Sequence, residues 1–468
     1  MNRFTLQLDE IQNAFAADPN PSLEVRLERI ARIESMIAAN EEKICKVISA
    51  DFGVRHPIET RLAEFQMVYQ ACQHVRKHLK DWMKPELKAT PFSMGSSHAW
   101  TIKQSIGVIG IISPWNYPIQ LALLPAIAAF AGGNRVWLKP SERSSRTSGF
   151  LASLIGEYFH PSEFCVSTGG TEVAEAFAAL PFAHLFFTGS ENTGKKVMRA
   201  AAENLTPLTL ELGGKSPAII DASAKLKDAA ASITYGKLLN GGQTCIAPDY
   251  VLIDEARTQE LIQELQAAAQ RQFSNPEEFT GAIDESQLNR WNALVSDAVQ
   301  RGAKAIPLLQ TQEAAAHHPR QFTPVALLHT PPDAQVFQEE LFGPILPIVI
   351  AADTSAAIDF INSKPTPLAL YWFGSDRKAK ERIITETRSG GICINDTLLQ
   401  ATIEELPFGG IGASGMGAYH GEAGFNALTH QKSILEVRGF LGIRGLRSSK
   451  LIWPPYGRKI ERLLRWLK

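Results

Sequence analysis

Cys245 is the residue best suited to covalent chemistry, because it follows a flexible glycine pair at the end of a helical pattern, in the stretch from Leu239 to Pro248. A thiol attacks as the thiolate, and with a free pKa of about 8.5 only a few per cent is ionised near pH 7. Most cysteines are small buried hydrophobic residues, so this stretch alone is also typical of a packed side chain. A catalytic role therefore requires assistance from elsewhere in the chain.

Glu211 is the first candidate for that assistance. It belongs to an alternating strand pattern, Leu208 to Leu212, which breaks at Gly213 and Gly214. A carboxylate on an apolar strand is costly to bury without a partner, and strand ends that lead into glycine turns are where α/β enzymes place functional groups. Glutamates are usually solvated surface charges, but the apolar neighbours of Glu211 predict a functional carboxyl group at the end of a strand.

Asn116 follows the buried strand pattern Ile106 to Ile112 and precedes an apolar helical pattern that runs to Ala131. A side-chain amide at the carboxyl end of a strand can donate a hydrogen bond to a developing oxyanion, and loss of such a donor costs about 100- to 1,000-fold in rate. A turn asparagine between prolines explains the stretch equally well. Both interpretations stay open here.

Lys139 and Glu142 lie together at the end of another strand pattern, Arg135 to Lys139. A glutamate in this position can accept both hydroxyl groups of a ribose, and the lysine can reach the same sugar or a phosphate. Both are also ordinary charges at the start of a helix.

A strand, a glycine turn and a helix follow one another from His184 to Ala202, with Gly189 and Ser190 in the turn. Backbone N–H groups and the helix dipole favour a pyrophosphate at such a turn. The glycine spacing differs from G-x-G-x-x-G, which makes the motif a weak signal by itself.

Composition limits the classes of partner. The chain has 468 residues, of which 45% are hydrophobic, and a formal net charge of −1 with a pI near 6.8. This near-neutral balance predicts no nucleic-acid role. Five scattered cysteines without metal-ligand spacing predict no metal site and a reduced compartment, and the N-terminus lacks the apolar core of a signal peptide, so we expect a cytoplasmic protein.

The alternation of strand and helix patterns after residue 105 predicts an α/β fold with a parallel, helix-covered sheet in each of two lobes. Residues 5–84 predict helices in an outer layer, and residues 85–101 predict an exposed hairpin or linker. The glycine-dense stretch 407–417 predicts a loop that excludes regular structure. The apolar region 107–133 is cut by three prolines, which favours a core segment over a membrane span.

Seven blocks occur together in a recognisable order, and they identify the chain as resembling an aldehyde dehydrogenase. They are PWNYP at 114–118, KPSE at 139–142, FTGS at 187–190, LELGGKSP at 210–217, GQTC at 242–245, EELFGP at 339–344 and PFGG at 407–410. The segments APDY after the cysteine, SGMGAYHG at 414–421 and PPY at 454–456 are similar to the class 3 branch, which includes fatty and coniferyl aldehyde dehydrogenases. Ala413 departs from the asparagine expected in that branch, which leaves details of the substrate side open.

The resemblance implies the aldehyde dehydrogenase fold, with two Rossmann-like lobes and a small β oligomerisation flap. It assigns residues 1–85 and 106–210 to NAD binding, 211–400 to catalysis, 86–105 and 401–440 to bridging and oligomerisation, and 441–468 to a basic tail. It also implies a homodimer. The cofactor is expected to be NAD, because a carboxylate at Glu142 repels a 2′-phosphate, although NADP is accepted by class 3 relatives.

The same resemblance implies roles for individual residues. Cys245 attacks the aldehyde, Asn116 and the Cys245 backbone N–H hold the oxyanion, and Glu211 activates the water that hydrolyses the thioester. The cofactor is contacted by Trp115, Lys139, Glu142, Gly189, Ser190, Glu340 and Phe342. The expected substrates are aromatic aldehydes, such as coniferyl aldehyde, or medium-to-long aliphatic aldehydes.

Two alternatives are weighed against this function. An enzyme that acylates coenzyme A would use the same cysteine, but family members that do so generally lack the glutamate found here at Glu211. A structural protein on the same fold has no need to retain every catalytic block, and these blocks are all present.

The C-terminal tail is strongly basic. After Arg438 only Glu461 opposes a series of cations: Arg444, Arg447, Lys450, Arg458, Lys459, Arg462, Arg465 and Lys468. Ile460, Leu463, Leu464 and Leu467 recur at helical spacing, which predicts a short helix with one apolar stripe and one cationic face. Two interpretations stay open: the apolar stripe packs on its own subunit or across a dimer interface, or the helix binds an anionic membrane.

Overall fold

The computed structural model describes residues 3–91, 97–309, 318, 320–437, 453–456 and 458–466. The helices are α1 Arg3–Ala17, α2 Leu23–Ala38, α3 Glu41–Phe52, α4 Pro57–Thr60, α5 Gln66–Trp82, α6 Gln120–Ala131, α7 Ser145–Tyr158, α8 Thr171–Ala178, α9 Glu191–Ala202, α10 Leu226–Leu238, α11 Thr258–Gln272, α12 Glu285–Gln300, α13 Thr354–Asn362, α14 Arg377–Glu386, α15 Gly421–Ala427 and α16 Arg458–Trp466. The strands are β1 Glu86–Lys88, β2 His98–Ser105, β3 Val108–Ile112, β4 Arg135–Lys139, β5 Phe164–Val166, β6 His184–Thr188, β7 Leu208–Glu211, β8 Pro217–Ile220, β9 Tyr250–Ile253, β10 Lys304–Pro307, β11 Val325–Leu328, β12 Ile345–Ile350, β13 Ala369–Phe373, β14 Gly391–Ile394, β15 Gly415–Met416 and β16 Thr429–Glu436.

One sheet has the order β15-β7-β6-β3-β4-β5, and its strands are parallel except for β15, which runs antiparallel to β7. Every residue of β3 and β4 is buried, because α2, α5 and α6 cover one face while α1 and α8 cover the other. Strands buried on both faces are expected to be continuously apolar, as β3 is. The predicted first lobe is therefore present.

A second sheet has the order β10-β11-β12-β9-β8-β13-β14 and is parallel except for its edge strand β10. Residues of α10 and α11 pack on one face, and residues of α12, α13 and α14 pack on the other. This arrangement confirms the predicted α/β fold with two parallel-rich, helix-covered sheets.

A third, antiparallel sheet joins β1, β2 and β16 in that order. The hairpin expected between residues 85 and 101 is present, with Glu86 opposite Thr101. Strand β16 pairs with the whole of β2, with Ser433 opposite Thr101, so the late segment of the chain returns to the early one. Most residues of β16 are exposed.

The prediction that residues 407–417 exclude regular structure was wrong for the C-terminal residues of this segment. Gly415 pairs with Glu211 and Met416 pairs with Leu210, which forms β15. Gly415 has a φ of 144°, and a Cβ atom there would meet the Leu210 carbonyl oxygen. Glycine therefore lets this short strand approach the sheet closely, rather than preventing the strand.

The region 107–133 is core, as predicted: α6 is buried along almost its whole length and contains Pro125. Among the described residues, no helix combines the length and the hydropathy needed to cross a bilayer. The tail contains the expected helix, α16, and Trp453 and Tyr456 before it are exposed. Arg444, Arg447, Lys450, Leu467 and Lys468 lie outside the described residues, as do the side chains of Lys459 and Leu463.

Candidate functional site

The turn before Cys245 requires an unusual backbone. Helix α10 ends at Leu238, and Asn240, Gly241 and Gly242 then have φ values of 54°, 60° and 75°. A Cβ atom at Gly242 would lie 2.5 Å from the backbone of Gly343, so only glycine fits there. The turn delivers Cys245, which is partly buried, to the wall of a cleft.

The buried side chain of Gln243 fixes this turn. Its Nε2 donates to the carbonyl oxygens of Asn240, at 2.8 Å, and Gly281, at 3.0 Å. Its Oε1 accepts from the backbone N–H of Ile283 at 3.0 Å. Because both ends of the amide have hydrogen-bond partners, the loop that carries the thiol is bound to the segment of residues 281–283 before α12.

Asn116 lies beside the same turn. Its Nδ2 donates to the Gln243 carbonyl oxygen at 3.1 Å, and its own carbonyl oxygen accepts from Asn240 Nδ2 at 2.9 Å. The neighbouring Tyr117 hydroxyl lies 2.7 Å from Thr244 Oγ1. These contacts join the loop after β3 to the cysteine loop.

The buried guanidinium group of Arg55 contacts the backbone of Asn116. Arg55 Nη1 donates to the Asn116 carbonyl oxygen at 3.2 Å and to Glu64 Oε1 at 3.0 Å. Glu64 Oε2 accepts from the backbone N–H groups of Ile119, at 2.6 Å, and Gln120, at 3.1 Å. Burial raises the pKa of Glu64, and the charge of Arg55 opposes that rise.

Glu211 ends β7, as predicted, and is buried. Neither carboxyl oxygen has a hydrogen-bond partner within the described part of the chain. Burial raises the pKa of Glu211 well above its usual value. A carboxyl group in this environment is a stronger base than a solvated one once it has lost its proton.

The cleft brings most of the predicted site residues together. It has a volume of about 550 Å³ and is lined by residues that include Trp115, Asn116, Gly189, Ser190, Glu211, Cys245, Glu340 and Phe342. Lys139 and Glu142 are not part of this lining; they form an ion pair of 2.6 Å, with Lys139 buried and Glu142 partly exposed. The hydrogen bond from Lys139 lowers the pKa of Glu142 against the opposing effect of burial.

Arg143, which follows Glu142 and was not among the predicted site residues, lines the cleft. Its guanidinium carbon lies 4.6 Å from the centre of the Trp115 ring, and Nε and Nη2 both donate to Asp284 at 2.9 Å. Trp115 in turn packs edge-on against Phe342, with ring centres 5.3 Å apart. The packed side chains of Arg143, Trp115 and Phe342 therefore connect the first sheet to the segment before β12. The pair with Asp284 connects Arg143 to the start of α12.

The segment around Glu340 is held by several buried groups. Lys215 Nζ donates to the carbonyl oxygens of Val336, at 2.7 Å, and Glu339, at 3.1 Å, and contacts Asp249. Asp249 Oδ1 accepts from the Leu341 N–H at 3.0 Å.

Further donors reach the segment from α12. Arg290 Nη1 donates to the Leu341 carbonyl oxygen at 2.8 Å, and Gln287 and Trp291 both donate to that of Phe342, at 3.0 and 3.1 Å. Phe342 has a φ of 44°, a strained value for a non-glycine residue that this many hydrogen bonds can maintain.

The thiol itself is not ionised at rest. Burial raises the pKa of Cys245 to about 12, and the nearby carboxyl groups of Glu340 and Glu211 add to the rise. Burial likewise raises the pKa of Glu340 to about 8, with Asp249 contributing. Cys245 and Glu340 are therefore mainly in their neutral forms near pH 7, and a proton must leave the thiol before the sulfur can attack.

The predicted site residues did not include Arg55, Glu64 or Arg143. The signal for the first two is weak, because Arg55 lies in the loop before α4 and a charged pair nine residues apart has no characteristic spacing. The π-helical turn Arg61–Phe65, which directs Glu64 inward, has no clear pattern in the sequence. Arg143 directly follows the KPSE block and could have been included with it.

A thiol, a buried carboxyl group and an amide donor in one cleft suit an enzyme that works through a covalent bond to sulfur. The family model of the aldehyde dehydrogenase family matches residues 8–434, so the chain belongs to that family. The protein is an NAD(P)-dependent aldehyde dehydrogenase, which oxidises an aldehyde to the carboxylic acid.

Individual relatives cover nearly the whole chain. It is 40% identical over 454 residues to the probable coniferyl aldehyde dehydrogenase of Pseudomonas aeruginosa, which covers 96% of this chain and 93% of that protein. It is 35% identical to the dimeric NADP-preferring aldehyde dehydrogenase of Rattus norvegicus, covering 96% and 97%. The substrate-bound state of Staphylococcus aureus AldH superposes with a TM-score of 0.92 at 35% identity, covering 100% of both chains.

Proposed function

We propose that this enzyme oxidises aromatic aldehydes of the coniferyl type, or medium-to-long aliphatic aldehydes, through a thioester on Cys245. The observation that carries the mechanism is the placement of Cys245, Glu211 and Asn116 on the lining of one cleft. The names of the relatives support the substrate class, since one is a probable coniferyl aldehyde dehydrogenase.

In the first half-reaction the Cys245 thiol releases its proton to solvent and Sγ bonds to the aldehyde carbon. The carbonyl oxygen becomes an oxyanion, which accepts hydrogen bonds from Asn116 Nδ2 and the Cys245 backbone N–H. When bound, oxidised NAD(P) supplies the acceptor for the hydride that leaves this carbon. The product on the protein is a thioester between Cys245 and the acyl group.

In the second half-reaction Glu211 takes a proton from water, whose oxygen bonds to the acyl carbon. The C–S bond breaks, the carboxylic acid leaves and the sulfur departs as the thiolate, which takes the proton held by Glu211 and restores the resting thiol. The absence of any hydrogen-bond partner for Glu211 among the described residues supports this role, because a free carboxylate oxygen has room for a water molecule. Water as the acyl acceptor distinguishes this proposal from acylation of coenzyme A.

The described residues suit a dinucleotide. Ser190 caps the 12-residue helix α9, whose free N–H groups lie at the cleft beside Gly189 and favour a pyrophosphate. Lys139 and Glu142 are assigned to the ribose, while Trp115, Glu340 and Phe342 are assigned to the cofactor's remaining contacts. We assign residues 1–85 and 106–210 to the cofactor-binding domain and residues 211–400 to the catalytic domain.

Two further assignments concern partners. Strands β1 and β2 of residues 86–105 and strand β16 of residues 401–440 form the three-stranded sheet. We assign these two segments to bridging and to a homodimer interface, and the name of a relative described as dimeric supports a dimer. The tail helix α16 is assigned to peripheral contact with anionic membranes, where lipophilic aldehydes partition. Leu464 is 55% exposed there, beside exposed Arg458, Arg462 and Arg465.

An aldehyde panel tests the function. The kcat/KM for NADH or NADPH formation should be highest with coniferaldehyde-like and long aliphatic aldehydes and lowest with acetaldehyde. The acid should be the product with or without added coenzyme A. Failure to reduce either cofactor with any aldehyde would leave only the structural-protein alternative. An acyl-coenzyme A product would show that the acyl group passes from Cys245 to coenzyme A and is not hydrolysed with the help of Glu211.

A further inference from the structure

Two histidines and a glutamate meet on the surface of the first lobe, away from the cleft lining. His74 and His78 lie one turn apart on α5, and Glu405 follows the short helical turn Leu399–Thr402. Glu405 Oε1 lies 3.9 Å from His74 Nδ1 and 3.8 Å from His78 Nε2. The three atoms all lie within 4.8 Å of one another.

The imidazole rings are held in place by packing. The rings of His74 and His78 have centres 4.6 Å apart, and Trp82 lies 5.6 Å and 6.0 Å from them. Trp82 also packs on Phe425 at 5.6 Å. Because His74 and His78 are partly buried, their rotamers are restricted before any ligand arrives.

The carboxylate side is anchored as well. Glu404, next to Glu405, accepts the backbone N–H of Gly421 at 3.1 Å. Gly421 has a φ of 44°, and a Cβ atom there would lie 2.9 Å from His74 Nε2. Glycine at this position therefore allows the loop to pass close to the imidazole, which brings Glu405 opposite the two histidines.

The contacts are too long to be hydrogen bonds. A nitrogen–oxygen hydrogen bond spans about 2.7–3.2 Å, whereas both separations from Glu405 are close to 4 Å. Ligand atoms around a tetrahedral zinc ion, with bonds of about 2.0–2.2 Å, are separated by about 3.3 Å. Shifts of roughly 1 Å or less would bring the three atoms to that spacing around a common centre.

We propose that His74, His78 and Glu405 bind a divalent transition-metal ion of the zinc type. Imidazole nitrogen with one carboxylate oxygen suits zinc, nickel and copper and does not suit magnesium or calcium. Three protein ligands leave a fourth position for water. The site is independent of the aldehyde chemistry, because none of its three ligands lines the cleft.

A bound ion would join α5 to the segment between Glu405 and His420. That segment pairs Phe408 with Tyr419 through two backbone hydrogen bonds of 2.8 Å, and its Ala413 lines the cleft. The metal thus acts as a crosslink between a core helix and a wall of the catalytic cleft, and it stabilises the folded protein by mass action.

The test uses the full chain without a histidine tag, in a Cys245→Ala background, so that the catalytic thiol does not compete for metal. Titration with Zn²⁺ by calorimetry should give one site with micromolar or tighter affinity, and Zn²⁺ should raise the thermal midpoint. Co²⁺ should give the visible absorption of a four-coordinate nitrogen–oxygen site.

His78→Gln and Glu405→Gln should each weaken binding by at least about tenfold, since even outer partners of metal ligands contribute 10- to 100-fold. Glu405 is 72% exposed at its side chain, so its variant keeps the fold. His430→Ala, which removes an exposed histidine on β16, should bind as the parent does. Affinity unchanged in both ligand variants, or weaker than about 1 mM in the parent, overturns the proposal.

Discussion

The side-chain amide of Asn116 donates a hydrogen bond of 3.1 Å to the backbone carbonyl oxygen of Gln243, two residues before Cys245. This bond crosses between loops that belong to different sheets. It uses one N–H of the amide and leaves the other N–H for a ligand. Asn240 Nδ2 also donates to the Asn116 carbonyl oxygen, so two hydrogen bonds hold the amide donor beside the loop that carries the nucleophile.

The two half-reactions should separate by mutation. Cys245→Ala should abolish aldehyde oxidation, because no other described residue in the cleft supplies a thiol. Glu211→Gln should still form the acyl-enzyme, so rapid mixing should show a burst of about one NADH per active site and then very slow turnover. Cys393→Ala is the matched control and should keep most of the activity, since Cys393 does not line the cleft.

An undiminished steady-state rate in Glu211→Gln would remove Glu211 as the base. An active Cys245→Ala enzyme would remove the covalent mechanism altogether.

Alkylation of the thiol should depend steeply on pH. Because burial raises the pKa of Cys245 to about 12, the thiolate fraction should grow about tenfold per pH unit below about pH 8 and less steeply above it, where Glu340 ionises. Reaction with iodoacetamide in the absence of cofactor should follow this fraction. The Cys393→Ala background removes the other partly exposed thiol. A plateau of the alkylation rate near neutral pH would contradict a raised pKa.

Glu340→Gln extends this measurement. Glu340, whose pKa is about 8, carries a charge mainly above that pH, and its negative charge disfavours the thiolate. The variant should therefore alkylate faster than the parent above about pH 8 and at a similar rate below it.

Arg55 should be essential for the fold around Asn116. Arg55→Met removes the cation from a buried pair with Glu64 and leaves that carboxyl group uncompensated, which should cost about 3–5 kcal/mol of unfolding free energy. Arg382→Met breaks an exposed pair with Glu386 and should destabilise the protein far less. Adding Glu64→Gln to Arg55→Met should recover part of the loss in chemical denaturation; equal stabilities of the two single variants would contradict the assignment.

The cofactor preference should follow Glu142. A carboxylate that accepts ribose hydroxyl groups repels a 2′-phosphate, so kcat/KM should be higher with NAD than with NADP, and Glu142→Gln should reduce the ratio. Glu172→Gln removes an exposed carboxylate elsewhere and should leave the ratio unchanged. A clear NADP preference in the parent enzyme would exclude the role assigned to Glu142, and Lys139 or Arg143 would then be the determinants.

Removal of the tail should abolish membrane binding and leave dimerisation unchanged. The full chain should co-sediment with anionic vesicles in a salt-sensitive manner, and a variant ending at Tyr456 should not, while both have the mass of a dimer. Arg462→Ser with Arg465→Ser keeps the apolar residues and should weaken vesicle binding. Loss of the dimer on truncation, with no lipid binding by either protein, would show that the tail docks on protein.

The sequence predicted the long, strongly periodic elements and the strand ends best. Glu211 was placed correctly at the end of its strand, and Asn116 and Gly189 after theirs, because strand patterns that lead into glycine or proline leave few alternatives. Strand β16 was missed, since its residues Thr429–Glu436 are mostly polar and exposed, and only pairing with β2 makes them a strand.

Long-range pairing also explains the errors within the site. Gly415 and Met416 form a strand because the edge of β7 is available to them, which a local pattern of glycines cannot express. Arg55 and Glu64 become a buried pair only when α4 and the following π-helical turn pack against the loop after β3. Charge burial of this kind depends on tertiary contacts and carries no local signature.

The hydrogen bonds that Lys215, Asp249 and Arg290 make to the backbone between Val336 and Leu341 have a thermodynamic consequence. A ligand that binds against this segment meets a surface that is already ordered, so little conformational entropy is lost on association. Calorimetry of cofactor binding should accordingly show a smaller entropic penalty in the parent than in Arg290→Met, in which the same segment must become ordered as the cofactor arrives.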